Sequence, residues 1–283
     1  MSRLTHQNHD RNSAGLTYVY PVLSRRSRGL SIGINLNPNN ACNWACLYCQ
    51  VPDLIRGSAP EVDIEILAEE LRSLLESQRS GKLAKEFELK PEEALIRDIA
   101  ISGNGEPTSC PNFFAVVQMI GKIASEFDLL GHIKLVLITN GSLMDRPEVK
   151  KGLTHWGELG GEAWFKLDRG TSEGMDLLNQ SRIGIDRVQR NLAICTERLK
   201  TWIQTCVVAV DGAPPSDADT KGYLGVLMAL MQSTSKPEGV LLYGLARPSL
   251  QPGASRLGPV PAAWSEDLAE RIRELGLDVR LNL

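Results

Sequence analysis

Short apolar runs alternate along the chain with longer stretches in which apolar residues return every three or four positions. The runs Leu30 to Leu36 (LSIGINL), Asp98 to Ser102 (DIAIS), Lys134 to Thr139 (KLVLIT), Ala163 to Leu167 (AWFKL), Ile203 to Val210 (IQTCVVAV) and Val240 to Leu245 (VLLYGL) have the length and residue types of strands. Between them the helical spacing takes over. Asp63 is placed to cap DIEILAEELRSLLES, where Ile64, Leu67, Leu71, Leu74 and Leu75 share one face. Phe113 to Phe127, Ile185 to Leu199, Thr220 to Met231 and Pro261 to Leu275 read the same way, and the terminal DVRLNL reads as a further strand. Arg79 to Lys90 is expected to be a flexible insertion. The alternation predicts an α/β fold of parallel βα units, a partial (β/α)6 barrel of the TIM type. In that organisation residues 1–29 form an N-terminal extension, 30–250 the core, and 251–283 a last helix and strand packed on it.

Barrels of this class gather function on the loops after their strands. Asn37, Pro38 and a cysteine cluster follow the first predicted strand, GNGEPT (103–108) the second, NGS (140–142) the third, DRG (168–170) the fourth, DGAPP (211–215) the fifth and ARPS (246–249) the sixth. Any one of these is ordinary turn chemistry; the set marks one end of the barrel.

Composition narrows the picture. With 42% hydrophobic and 23% charged residues, 283 positions are enough to bury a core. The sequence carries no apolar run of membrane-spanning length, and MSRLTHQNHDRNSAG lacks the apolar centre of a secretory signal, so a soluble, cytoplasmic protein with no membrane partner is expected. A net charge of −3 does not mark the whole surface for nucleic acid, although Arg25, Arg26 and Arg28 make a local basic turn.

Three of the six cysteines, Cys42, Cys46 and Cys49, fall within eight positions. In a reducing compartment such a cluster points to metal or redox chemistry rather than disulfides. Zinc would need a distant fourth ligand, because Cys110, Cys195 and Cys206 and all four histidines lie far away in sequence. A 4Fe-4S cluster held by three thiolates would leave one iron without a protein ligand.

The spacing Cys42-x-x-x-Cys46-x-x-Cys49, with Tyr48 before the last cysteine, resembles the signature of the radical SAM superfamily. The resemblance implies a 4Fe-4S cluster whose open iron is chelated by S-adenosylmethionine (SAM), and a reducing partner of the flavodoxin or ferredoxin type. Reductive cleavage of SAM would then give a 5′-deoxyadenosyl radical that abstracts hydrogen from a substrate. Gly103, Asn104, Gly105, Glu106 and Pro107 resemble the family's glycine-glycine-glutamate motif, which binds the methionine amino group. Asn140 and Asp168 fall where the family contacts the methionine and ribose, and Val208 where it contacts adenine.

Longer phrases, among them SRGLSIGINLNPNNACNWACLYCQV (27–51), ISGNGEPT (101–108), FKLD (165–168) and YGLARP (243–248), look like the wyosine synthetase-like group, which modifies a tRNA base. That group uses lysine to engage pyruvate, which makes Lys166 a candidate amine nucleophile or anion anchor. Dispersed charge and 5% aromatics are little for gripping an anticodon loop. A small metabolite or a peptide is the alternative substrate, with Arg169 and Arg247 as candidate anion ligands. A non-catalytic iron-sulfur carrier is a third reading.

Overall fold

A computed structural model describes residues 4, 14–24, 29–245 and 247–282; Arg25, Arg26 and Arg28 lie outside the described residues. Its centre is an eight-stranded sheet whose strands are neighbours in chain order: β1 (Val19–Ser24), β2 (Gly29–Ile34), β3 (Ile96–Ile101), β4 (Lys134–Thr139), β5 (Glu162–Lys166), β6 (Lys200–Cys206), β7 (Gly239–Tyr243) and β8 (Asp278–Asn282). Every pairing from β2 to β8 is parallel, and β1 alone runs antiparallel, against β2. The sheet has two ends, β1 and β8, that do not pair with each other. It is therefore an open, partial barrel, with six βα-type strands as expected and Asp278–Asn282 extending the sheet at one edge.

The helices are α1 (Ile64–Arg79), α2 (Lys82–Glu86), α3 (Phe113–Glu126), α4 (Pro147–Glu158), α5 (Ser172–Asn179), α6 (Ile185–Thr196), α7 (Asp217–Met231) and α8 (Ala262–Glu274). Asp63 caps α1, its carboxylate accepting from the Glu65 and Ile66 amides. Leu67, Leu71, Leu74 and Leu75 of that helix are buried, each contributing about 1.5–3 kcal/mol.

Three expectations need correction. The stretch before Leu30 is not wholly outside the core, because β1 joins the sheet and Glu70 of α1 pins its start, accepting from the amides of Thr17, Tyr18 and Val19 at 2.7, 2.8 and 3.1 Å. The segment Arg79 to Lys90 is not a loose insertion: it forms α2 and buries Leu83 and Phe87 in the main core. Helices α4 and α5 also went unpredicted. α4 opens on Pro147 and carries Gly152, which lets Phe113 of α3 close in: a Cβ there would lie 2.6 Å from the ring.

Candidate active site

The cysteine loop follows β2 and crosses the carboxyl end of the sheet. Two neighbours clamp it. On one side the α5 terminus receives the Ala45 and Leu47 amides at the carbonyls of Asn179 and Leu178, 3.2 and 2.8 Å. On the other, the Ser249 hydroxyl donates to the Leu47 carbonyl (2.6 Å), the Leu250 amide to the Cys49 carbonyl (3.0 Å), and Gln251 to the Val51 carbonyl (2.8 Å). Cys42, Cys46 and Cys49 thereby line one cavity of about 370 Å³ inside the barrel. Each parallel strand from β2 to β7 sends a residue to its wall: Gly33, Ala100, Ile138, Lys166, Gln204 and Tyr243.

Among the described residues, no three His, Cys, Asp or Glu side chains converge closely enough to ligate a single ion. Burial raises the thiols, Cys42 to about 12 and Cys46 to about 11, so thiolate ligation would be driven by the metal displacing protons. Two sulfurs already meet N–H donors: the Trp44 amide points at Cys42 Sγ (3.5 Å) and Asn179 Nδ2 at Cys46 Sγ (3.3 Å). The residues present fit a cluster held on three cysteines.

Glu106 is buried after β3, and its carboxylate braces two loops. Oε1 accepts from the Thr108 amide (3.0 Å), the Thr108 hydroxyl (2.6 Å) and the Thr139 hydroxyl (2.6 Å), and Oε2 from the Asn140 amide (2.6 Å). Burial raises its pKa while these donors oppose the rise. Asn140 continues the network, donating to Asn43 Oδ1 (2.8 Å) and accepting from the Ser142 amide and hydroxyl (3.0 and 2.7 Å). Asn43 lies between Cys42 and Cys46, so the network reaches the cysteine loop itself.

The glycine pair is closely packed against the chain before the cysteines. A Cβ on Gly103 would lie 2.2 Å from Asn35 Oδ1, and one on Gly105 would lie 2.0 Å from the Ala41 carbonyl. The missing side chains admit the chain leading into the cysteine loop, and both glycines also line the cavity. Asn104 does not line it; its amide and side chain donate to Asn35 and Asn40 at 2.9 and 2.6 Å. Pro107 opens a one-turn 3-10 helix that the Glu106 side chain caps.

Tyr48, Glu106, Asn140, Lys166 and Arg247 line the cavity. Asp168, Arg169 and Val208 do not line it. Both Asp168 oxygens are occupied: Oδ2 accepts from the Tyr48 hydroxyl and from Asn179 Nδ2 (2.7 Å), and Oδ1 from the Cys206 amide (2.7 Å). It locks Tyr48 and the α5 terminus. Arg169, 3% exposed, donates to the carbonyls of Asp168, Cys206 and Val208 at 2.8, 3.4 and 3.0 Å. A guanidinium so enclosed is a clamp, not an anion ligand. Val208 is fully buried beneath Tyr48, its carbonyl taken by Arg169.

Lys166 donates to the Tyr243 hydroxyl (2.7 Å) and sits over the rings of Tyr48 and Tyr243, at 4.9 and 5.3 Å. Burial works against its ammonium, but Tyr243, Asp168 and Cys46 outweigh that and hold its pKa above the ordinary lysine value. Sequence reasoning missed Asn43, Asn179 and Gln204. Of these only Gln204 left a signal, a lone amide in an apolar run. Its Oε1 is buried on the cavity wall with no partner among the described residues.

The fold has counterparts in solved structures: a TYW1 structure with a bound lysine-pyruvate adduct matches with a TM-score of 0.58 at 15% identity, covering 86% of this chain and 73% of that one. A radical SAM methyltransferase from Sphaerobacter thermophilus matches at 0.57 and 13% identity, over 93% of this chain and 68% of that one. HydG, a maturase of the [FeFe]-hydrogenase, matches at 0.54 and 14%, over 86% and 48%. No family model matches the chain. In sequence it is similar to UPF0026 proteins, 29% identical over 136 residues to one from Helicobacter pylori and 32% over 148 residues to one from Methanocaldococcus jannaschii. These alignments take in 47% and 52% of this chain, and 37% and 39% of the length of those relatives.

Proposed function

We propose that this chain is a radical SAM enzyme, in which Cys42, Cys46 and Cys49 hold a 4Fe-4S cluster and SAM occupies the cavity beside them. The observation that carries the reading is the cysteine loop itself: three thiols lining one cavity at the carboxyl end of a parallel sheet. When bound, the reduced cluster supplies the one electron that cleaves the SAM sulfonium, giving methionine and a 5′-deoxyadenosyl radical that takes hydrogen from the substrate.

The chain's own residues provide position and shielding. Glu106, Asn140 and Asn43 brace the cysteine loop from one side, and Asp168, Asn179 and Tyr48 from the other, so the thiols are preorganised before anything binds. Ile138, Trp164 and Tyr243 line the cavity with apolar and aromatic surface that excludes water from a reactive radical. Lys166, held as the ammonium, is placed to attract a carboxylate or phosphate, and Gln204 Oε1 to accept from a ligand N–H or O–H. A cavity of about 370 Å³ does not enclose a large substrate entire. A small metabolite fits that limit, and so does the edge of one tRNA base, the reading that the wyosine synthetase-like phrases favour.

The test is 5′-deoxyadenosine release by the anaerobically reconstituted protein with SAM and dithionite, with and without bulk unmodified tRNA. Stimulation by tRNA supports the base-modifying reading. Release that ignores tRNA supports the radical chemistry with a small substrate, and an intact cluster that yields no 5′-deoxyadenosine supports the carrier reading against the enzyme.

A further inference from the structure

Lys166 and Gln204 are register partners across the parallel pair of β5 and β6, so their Cα atoms stand about 4.8 Å apart. Both line the inner cavity. Lys166 donates to the Tyr243 hydroxyl at 2.7 Å, and Tyr243 belongs to β7, where it pairs with Cys206 two positions beyond Gln204. That bond from β5 to β7 spans β6, the strand that carries Gln204. Gln204 is only 2% exposed, yet its Oε1 accepts no hydrogen bond from any described residue, the neighbouring ammonium included. Buried amide oxygens are costly to leave so, and this one faces a cavity rather than packed side chains. Beside the pair the wall turns apolar, with Ile138 and Trp164 register partners on β4 and β5.

We infer that this pair reads a small carboxylic acid bearing a hydroxyl or an amine on the carbon next to its carboxylate, and that such acids are the substrate class of the cavity. The inference rests on the radical SAM reading and names the substrate of that same site. An ammonium has three hydrogens, and the Tyr243 bond uses one. Its single charge is met by one carboxylate, whereas a phosphate brings up to two charges and three acceptor oxygens. Gln204 then decides what stands beside the carboxylate. Its Oε1 accepts and does not donate, so the neighbouring atom must carry a hydrogen. A hydroxyl or ammonium meets that need; a ketone oxygen sets lone pair against lone pair, and a plain methylene leaves the acceptor unmet. A site built to bond a ligand O–H or N–H rejects the analogue without it, because its own buried group stays unpaired. Carboxylate and donor on adjacent carbons match two side chains on adjacent strands.

The probes are four three-carbon acids that differ only at that carbon: lactate with a hydroxyl, alanine with an amine, pyruvate with a ketone and propionate with neither. Their binding to the reconstituted protein is measured anaerobically by titration calorimetry. SAM is kept saturating, so that the acids do not reach the open iron, and the series is repeated on cluster-free protein. Wild type is compared with Gln204→Leu, which removes the acceptor from a position already lacking a partner, and with Lys166→Met. Circular dichroism checks that each variant is folded, and SAM binding is measured on each.

Lactate or alanine is expected to bind wild type about tenfold or more tighter than pyruvate and propionate. Gln204→Leu is expected to erase that preference, and Lys166→Met to weaken all four acids. Lactate above alanine assigns the hydroxyl class, and the reverse order the amine class. Equal binding of the four acids by wild type, a preference that survives in Gln204→Leu, or no binding of any acid overturns the inference. So does a Gln204→Leu protein that loses SAM affinity and leaves the acids unchanged, since the pair then serves the cosubstrate. A protein that takes up no cluster but keeps the Gln204-dependent preference contradicts the radical SAM reading and leaves the acid assignment standing.

Discussion

Removing the Glu106 carboxylate would leave four buried donors, the Thr108 and Asn140 amides and the Thr108 and Thr139 hydroxyls, facing no acceptor. Since an unmet buried donor costs about 1–3 kcal/mol, Glu106→Ala is expected to lose about 3–5 kcal/mol in urea unfolding, and Glu106→Gln less. Equal stability of Glu106→Ala and wild type would mean that the brace carries no weight. Asn179 works at the same scale, with one side-chain nitrogen near Asp168, Tyr48 and Cys46 Sγ. Asn179→Leu keeps the branched shape, with more bulk, and removes those bonds. It is expected to fold yet retain less iron after reconstitution and desalting; iron equal to wild type would show that the loop is positioned without it. Such residues explain what the chain reveals at this scale. Three thiols in one loop are legible because their chemistry has few other uses. Asn179 reads as a helix end, and its meaning comes from spatial contacts, two of them with Cys46 and Tyr48 more than a hundred positions away.

At the scale of elements, close packing outranks intrinsic preference. Replacing Gly222 by alanine would favour an isolated α7 by about 1 kcal/mol. In place, however, the new Cβ would lie 2.4 Å from the Gly170 carbonyl, backbone that cannot rotate away. Gly222→Ala is therefore expected to lower stability by about 2 kcal/mol or more, read as a fall in the urea midpoint; a rise would mean that helix propensity wins. Cys195, at the end of α6, gives a pH test. Burial raises its thiol from 9.0 to about 12. The folded chain thus holds this proton more tightly than the unfolded one, so the contribution is full below pH 9. It is lost as pH climbs from about 9 toward about 12, at about 1.4 kcal/mol per unit. The stability gap between wild type and Cys195→Ala should narrow across pH 8 to 10.5, and parallel curves would contradict the assignment. The six core strands were readable from their apolar runs, but β1 was not, because Pro21 interrupts it. Proline is tolerated there because β1 is an edge strand and can forgo a ladder hydrogen bond. α2 was hidden for a related reason: five residues are too few for periodicity to show which face is buried.

At the scale of the whole molecule, the sheet sets the site, because parallel strands in chain order deliver every following loop to one rim. A net charge of −3 says little about that rim, where arginines gather beside the cysteine loop. No helix among the described residues is long and apolar enough to cross a membrane. The proposed function requires that three thiols hold a cluster with one iron left for SAM. Electron paramagnetic resonance of the reconstituted, reduced protein, before and after SAM is added, tests this directly alongside iron and sulfide analysis. About four irons and four sulfides per chain are expected, with a cluster signal that SAM reshapes, and loss of that signal in Cys42→Ala, Cys46→Ala or Cys49→Ala. One tightly bound zinc per chain, or a cluster signal indifferent to SAM, would contradict it.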